Sequence, residues 1–176
     1  MRILVLGGIR SGKSEWAERA VAESVAEGEH VVYVATGAAP GGDADWSARV
    51  AAHRGRRPSH WSTIETVDVA TQLRSDATAT IVDDVGGWLT ATMDRREAWT
   101  GASVCAEVDD LLDAVGAFAA PLALVSPEVG LTVVPPTESG RRFADELGIL
   151  NQRLAAVCDR VVLVIAGQPM TVKEPA

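Results

Sequence analysis

The chain has 176 residues, a size that fits one domain able to bury a continuous core without disulfide or metal staples. Hydrophobic residues make up 47% and charged residues 23%, the balance of a folded globular protein rather than a disordered one. The formal net charge of −8 argues against a broad nucleic-acid surface, so any anion site has to be local.

Short apolar runs rich in β-branched residues recur along the chain, separated by segments of helical composition. They predict strands at "RILVL" (2–6), "HVVYVA" (30–35), "ATIVDD" (79–84), "LALVS" (122–126) and "RVVLVIA" (160–166). These runs are nearly all apolar rather than alternating, as strands covered on both faces of a parallel sheet require. Helices are expected over 13–27, 44–54, 67–74, 86–96, 103–119 and 139–158. In the last of these, Leu147, Leu150, Leu154 and Val157 recur at spacings of three and four and share one face. Loops dense in Gly and Pro fall at 37–43 and 126–140, and a loop as long as the second is more often functional than idle. The pattern is a single α/β domain over 1–176, with helices on both sides of the sheet.

Cys105 and Cys158 lie far apart with no C-x-x-C spacing, so buried free thiols are expected rather than a disulfide or zinc site. No apolar run approaches the roughly 18 residues of a membrane span. The N-terminus enters a strand-like run at once, with no leader pattern. A cytoplasmic protein is the expectation.

"GGIRSGKS" (7–14) fits the G-x-x-x-x-G-K-[ST] phosphate-binding pattern, and it sits after a strand and before a helix, where its mechanism requires. Gly7, Gly8 and Gly12 allow positive φ angles, so that successive backbone N–H groups turn toward phosphate oxygens. Ile9, Arg10 and Ser11 complete the loop. Lys13 would reach the β- and γ-phosphates, and the Ser14 hydroxyl would ligate Mg²⁺. An acidic residue at the end of an apolar strand is the expected second element. In "TIVDDV" Asp83 is the choice for Mg²⁺ and Asp84 its neighbour, a strand end or helix cap being the alternative role.

In "DADWSARVAAHRGRRPSHW" (43–61), a helix from about Asp45 puts Trp46, Arg49, Val50 and His53 on one face. Arg54, Arg56 and Arg57 follow around Gly55, a basic knot in an acidic protein. Arginine forks suit phosphate oxygens, and a neutral imidazole beside them can attack phosphorus. On these residues alone, a surface helix end with a hydrogen-bonded histidine remains the alternative. His30 and His60 carry weaker signals.

"GGIRSGKS", "YVATG", "RVAAHRGRRPSHWSTIE", "VDDVGGWLT", "SPEVGLTVVP", "RRFADELGILNQRLA" and "VVLVIAGQP" occur in an order that resembles the bifunctional adenosylcobinamide kinase/adenosylcobinamide-phosphate guanylyltransferases of cobalamin biosynthesis. The resemblance covers nearly the whole chain. It implies a P-loop NTPase with a RecA-like sheet. The activity it implies is phosphorylation of the aminopropanol hydroxyl of adenosylcobinamide, then transfer of GMP from GTP to that phosphate through a guanylylated histidine, with release of pyrophosphate. By "RVAAHR" that histidine corresponds to His53. The resemblance also places Gly7 to Ser14, Thr36, Gly37, Arg54, Gly55, Arg56, Arg57, Glu65 and Asp83 around the nucleotide, with GTP and ATP as substrates and Mg²⁺ as cofactor. A homo-oligomer, a trimer in characterised relatives, is implied as well, acting on small molecules, a nucleotide and a corrinoid.

Departures from the family pattern fall at Pro127, where relatives usually carry Asn, and at Asp84 and Ala91, where they carry Cys and Asn. They motivate a second reading, a small-molecule kinase without guanylyl transfer. A third is a nucleotide-binding switch without turnover.

Overall fold

The computed structural model describes residues 1–37, 55 and 57–175. Their strands form one seven-stranded sheet: β1 (Arg2–Gly7), β2 (Val32–Ala35), β3 (Ser62–Glu65), β4 (Thr80–Asp83), β5 (Leu122–Pro127), β6 (Arg160–Ile165) and β7 (Gln168–Lys173). The order across it is β3-β2-β4-β5-β1-β6-β7, and every neighbouring pair is parallel except β6–β7. The described helices are α1 (Lys13–Ser24), α2 (Val69–Ser75), α3 (Val85–Arg95), α4 (Cys105–Ala117) and α5 (Glu138–Val157). The helix expected at 44–54 lies outside the described residues.

The apolar runs form strands because both faces are covered. Leu4, Val34, Val82, Leu124 and Val161 face a core completed by α2, α3, α4 and α5, with Leu147, Leu150 and Leu154 of α5 buried in it. The alternate positions Ile3, Val5, Tyr33, Ile81, Val125 and Val162 face Trp16, Ala17 and Val21 of α1. An apolar residue at every position of a strand thus serves two layers at once.

Two strands escape the sequence pattern. β3 is a four-residue edge strand whose burial alternates, and β7 is an exposed edge strand containing Pro169, with neither run apolar enough to announce itself. β7 pairs with β6 through a tight turn in which Ala166 and Gly167 take φ of 50° and 76°, both in the left-handed region. The expectation of two buried thiols is corrected in part. Cys158 is buried, and burial pushes its thiol up to about 12, whereas Cys105 stands exposed on the first turn of α4.

Register decides where the site forms. Gly7 pairs with Pro127, Val125 with Asp83, Asp83 with Ala35, and Ala35 with Glu65, so β1, β5, β4, β2 and β3 all end along one edge. His30 belongs to the opposite edge. Its Nδ1 donates to the His60 carbonyl at 2.5 Å and its Nε2 accepts from the Ser62 hydroxyl at 3.1 Å, tying the entries to β2 and β3 together far from the strand ends.

Candidate active site

β1 runs into the glycine loop and α1 leaves it. Gly7 ends the strand so close to β6 that a Cβ there would lie 2.8 Å from the Val164 carbonyl. Gly12 has φ of 92° and begins α1, and Arg10 also takes a left-handed φ of 56°. The loop closes on itself through Ser11 N–H donating to the Gly8 carbonyl at 3.3 Å. No side chain caps α1, so its first N–H groups and dipole are directed into the loop's concavity. Lys13 Nζ lies across that concavity, donating to the Gly8 carbonyl at 3.2 Å. From outside, the β6–β7 turn supports the loop, with Gly167 N–H donating to the Ser11 carbonyl at 2.8 Å.

The two aspartates ending β4 have separate work. Asp84 caps α3, its Oδ1 accepting from Gly87 N–H, and its carbonyl accepts from the Thr36 hydroxyl. Burial raises the Asp84 pKa despite that N–H, the neighbouring Asp83 charge adds to the rise, and the Lys13 charge opposes it. Asp83 shares the α1 side of the sheet with Ile81, and its Oδ2 accepts from the Tyr33 hydroxyl. Tyr33 is 1% exposed, and burial together with Asp83 holds its pKa far above the ordinary tyrosine value, so it stays a donor.

Thr36 is buried and stitches β2 to β4, its N–H donating to the Asp83 carbonyl at 3.0 Å, while Gly37 emerges exposed beyond it. Gly87 lies tightly beneath this junction, where a Cβ would meet the Thr36 hydroxyl at 3.2 Å. Glu65 is exposed at the end of β3, and Gly55 is exposed as well. Arg57 is turned inward. Its Cζ lies 3.3 Å from the Tyr33 ring centroid, it donates to the Thr63 hydroxyl at 2.9 Å, and its Nε lies 3.8 Å from Glu18 Oε1 on α1. His53, Arg54 and Arg56 lie outside the described residues.

β5, between β1 and β4, brings the E-V-G loop to the same place. Glu128 N–H donates to the Gly7 carbonyl at 3.0 Å, and the Glu128 carboxylate turns back onto Gly130 N–H at 2.5 Å. Asn151 of α5 anchors the start of this loop by accepting from the Ser126 hydroxyl at 2.6 Å and donating to the Pro127 carbonyl at 3.0 Å. The contact uses the backbone, so Pro127 satisfies it without a side-chain amide. The residues that the spacing rules missed are therefore supports: Tyr33, Asn151 and the 166–167 turn. A signal existed for the first, since Tyr33 is the only tyrosine of the chain and interrupts an aliphatic run.

The architecture is that of a P-loop NTPase with a RecA-like sheet. The solved structure of a prototypical ATPase from the type III secretion system of pathogenic bacteria superposes with a TM-score of 0.55 at 13% identity, over 97% of this chain and 56% of that one. Sequence relatives are closer. The bifunctional adenosylcobalamin biosynthesis protein CobP of Pseudomonas aeruginosa is 44% identical over 98% of both chains. The bifunctional adenosylcobalamin biosynthesis proteins CobU of Salmonella typhimurium and Escherichia coli are 35% and 31% identical, each over 98% of this chain and 100% of the relative. A sequence model of the family described as "Cobinamide kinase / cobinamide phosphate guanyltransferase" matches residues 3–172, and the chain belongs to that family.

Proposed function

We infer that the protein phosphorylates the aminopropanol hydroxyl of adenosylcobinamide and transfers GMP from GTP onto the resulting phosphate. The observation that carries this reading is that the strands leading into the glycine loop and ending in Asp83 finish along one carboxyl edge of the sheet, with Lys13 opening α1 from that loop, in a chain of this family. In the kinase half-reaction the loop N–H groups and Lys13 hold the nucleotide phosphates and neutralise the charge that develops as the hydroxyl oxygen displaces the leaving nucleotide. The donor chemistry fits Mg²⁺, since Ser14 offers a hydroxyl and Asp83 a carboxylate, both hard oxygens. No group of three or more His, Cys, Asp or Glu among the described residues could hold a metal alone, so phosphate and water oxygens would complete the shell. When bound, Mg²⁺ would offset charge on the β- and γ-phosphates.

In the second half-reaction His53 attacks the α-phosphorus of GTP, forming an N–P bond as the α–β P–O bond breaks and pyrophosphate leaves. The substrate phosphate then attacks the same phosphorus, and the N–P bond breaks to free the histidine. Arg54 and Arg56, next to His53 in sequence, would neutralise charge developing on the phosphates. Either ATP or GTP serves the kinase step in this reading. Assembly as a trimer and a cytoplasmic location accompany it. No helix among the described residues is long and apolar enough to cross a membrane.

Exposure to α-labelled GTP followed by intact-protein mass measurement tests the assignment. A GMP adduct that is acid-labile and alkali-stable is expected on the wild type and absent from His53→Ala. Label that persists in the variant overturns the role of His53.

A further inference from the structure

We propose that Tyr33 is a positioning residue for the cation-binding carboxylate of Asp83, and that Arg57, seated on the Tyr33 ring, holds it in place. The inference rests on the functional reading above, in which Asp83 serves a metal–nucleotide complex.

A tyrosine at this point in β2 is costly unless its hydroxyl is satisfied. The ring lies among Trp16, Val21, Ile81 and Val125, in a layer that aliphatic residues alone could fill. Burying a hydroxyl there without a partner would be unfavourable, so the group has to earn its place through a bond. Its partner is Asp83 Oδ2, on the neighbouring strand and two residues further toward the site, since Tyr33 pairs with Ile81 and Ala35 with Asp83. The bond occupies one carboxylate oxygen and fixes the rotation of the carboxylate plane. Oδ1 is thereby the oxygen presented to a cation or to its water.

The ring itself is fixed from its face. The Arg57 guanidinium lies 3.3 Å from the ring centroid, is tied to β3 through the Thr63 hydroxyl at 2.9 Å, and faces Glu18 of α1 at 3.8 Å. The Arg57 guanidinium thus links β3 and α1 across the face of the β2 tyrosine. The arrangement gives Arg57 a different task from the phosphate fork that its place in "HRGRR" suggests: its planar group is committed to the ring, and its charge lies beside the tyrosine that holds Asp83.

Tyr33→Phe keeps the ring and its stacking and deletes only the donor. Mn²⁺ taken up together with GTP, followed by electron paramagnetic resonance, reads the carboxylate without turnover. The variant should need about tenfold more Mn²⁺ for half-saturation, the loss of one hydrogen bond to a charged group. Its GTP affinity in EDTA should equal that of the wild type, which a merely structural defect would not spare. Added to Asp83→Asn, the same change should cost less than about twofold, because the two residues act as one. Unchanged Mn²⁺ uptake by Tyr33→Phe overturns the role, as does a full tenfold loss in the Asp83→Asn background. If Tyr33→Phe does not fold, Arg57→Met carries the test, with a shift of about threefold expected and no shift overturning the proposal. A wild-type protein that takes up no Mn²⁺ with GTP would overturn the functional reading and this role with it. Wild-type uptake matched by Tyr33→Phe removes this role alone.

Discussion

At the amino edge of the sheet, Arg2 donates from its backbone N–H and its guanidinium to the two oxygens of Asp159, at 2.7 and 2.9 Å, and the Asp159 N–H returns to the Arg2 carbonyl at 2.9 Å. Nearby, Lys173 Nζ donates to the Ala155 and Cys158 carbonyls at 2.9 and 2.6 Å, closing the C-terminus of α5 where a cation also complements the helix dipole. The same strands end at the carboxyl edge in a loop with left-handed residues, an uncapped helix and two adjacent aspartates. At the first edge Arg2, Asp159 and Lys173 are satisfied by one another or by backbone carbonyls. The other holds charge and backbone in arrangements that folding alone would not choose, and the difference locates the chemistry.

The largest expected effect separates the edges by activity. Lys13→Ala should lower phosphoryl transfer on the order of 10³-fold, as removal of a charge aimed at the transferring phosphate does. Its bond to the Gly8 carbonyl is at the surface, so the melting temperature should stay within about 2 °C of the wild type. Calorimetry beside steady-state rates checks this, and a large drop in melting temperature would mean that the loop lysine is structural.

Leu154→Ala should do the reverse. Leu154 is fully buried near the amino edge, between α5 and the sheet, and its truncation should cost about 3 kcal/mol in urea unfolding through lost burial and a cavity. The rate per folded molecule should be retained. A variant as inactive as Lys13→Ala would dissolve the distinction between the edges.

Asp159→Asn sharpens the comparison through pH. The hydrogen bonds and charge of Arg2 hold the Asp159 carboxyl below its ordinary value. A carboxylate depressed in the folded state stabilises above its unfolded pKa, about 4, and loses that contribution as pH falls through the folded value. The pair is partly exposed, so about 1 kcal/mol is expected at pH 7 after allowance for solvent. Wild type and variant should then converge in urea unfolding below about pH 4. A difference that persists in acid would assign the effect to packing.

The strands that build both edges were legible because a buried parallel strand has to be apolar at every position, which is why β1, β2, β4, β5 and β6 fall where the runs are. β3 and β7 were not, because edge strands carry no such demand. The glycine loop was legible for a related reason, since a close approach leaves no room for a Cβ at Gly7 and a left-handed φ favours glycine at Gly12. Spacing named Asp83 ahead of Asp84 but could not show the Tyr33 bond that holds Asp83, nor that Arg57 turns onto the Tyr33 ring, because those contacts cross β2, β3 and α1, which lie far apart in sequence.

The smallest effect tests whether strain at the site edge belongs to the site. Ala166 holds φ of 50° in the β6–β7 turn, a conformation that costs a residue with a Cβ about 1 kcal/mol. Asn followed by Gly is the favoured pair for such a turn, and Asn tolerates the left-handed region without the added unfolded-state freedom of glycine. Ala166→Asn should therefore stabilise by about 0.5 kcal/mol. The turn reaches the loop through Gly167 N–H on the Ser11 carbonyl, so relief there could either leave the loop undisturbed or change its hold on phosphate. Greater stability with an unchanged KM for nucleotide would make the turn a plain buttress, its strain incidental. Greater stability with a raised KM would extend the site to β7, making the last hairpin part of the machinery that shapes the loop.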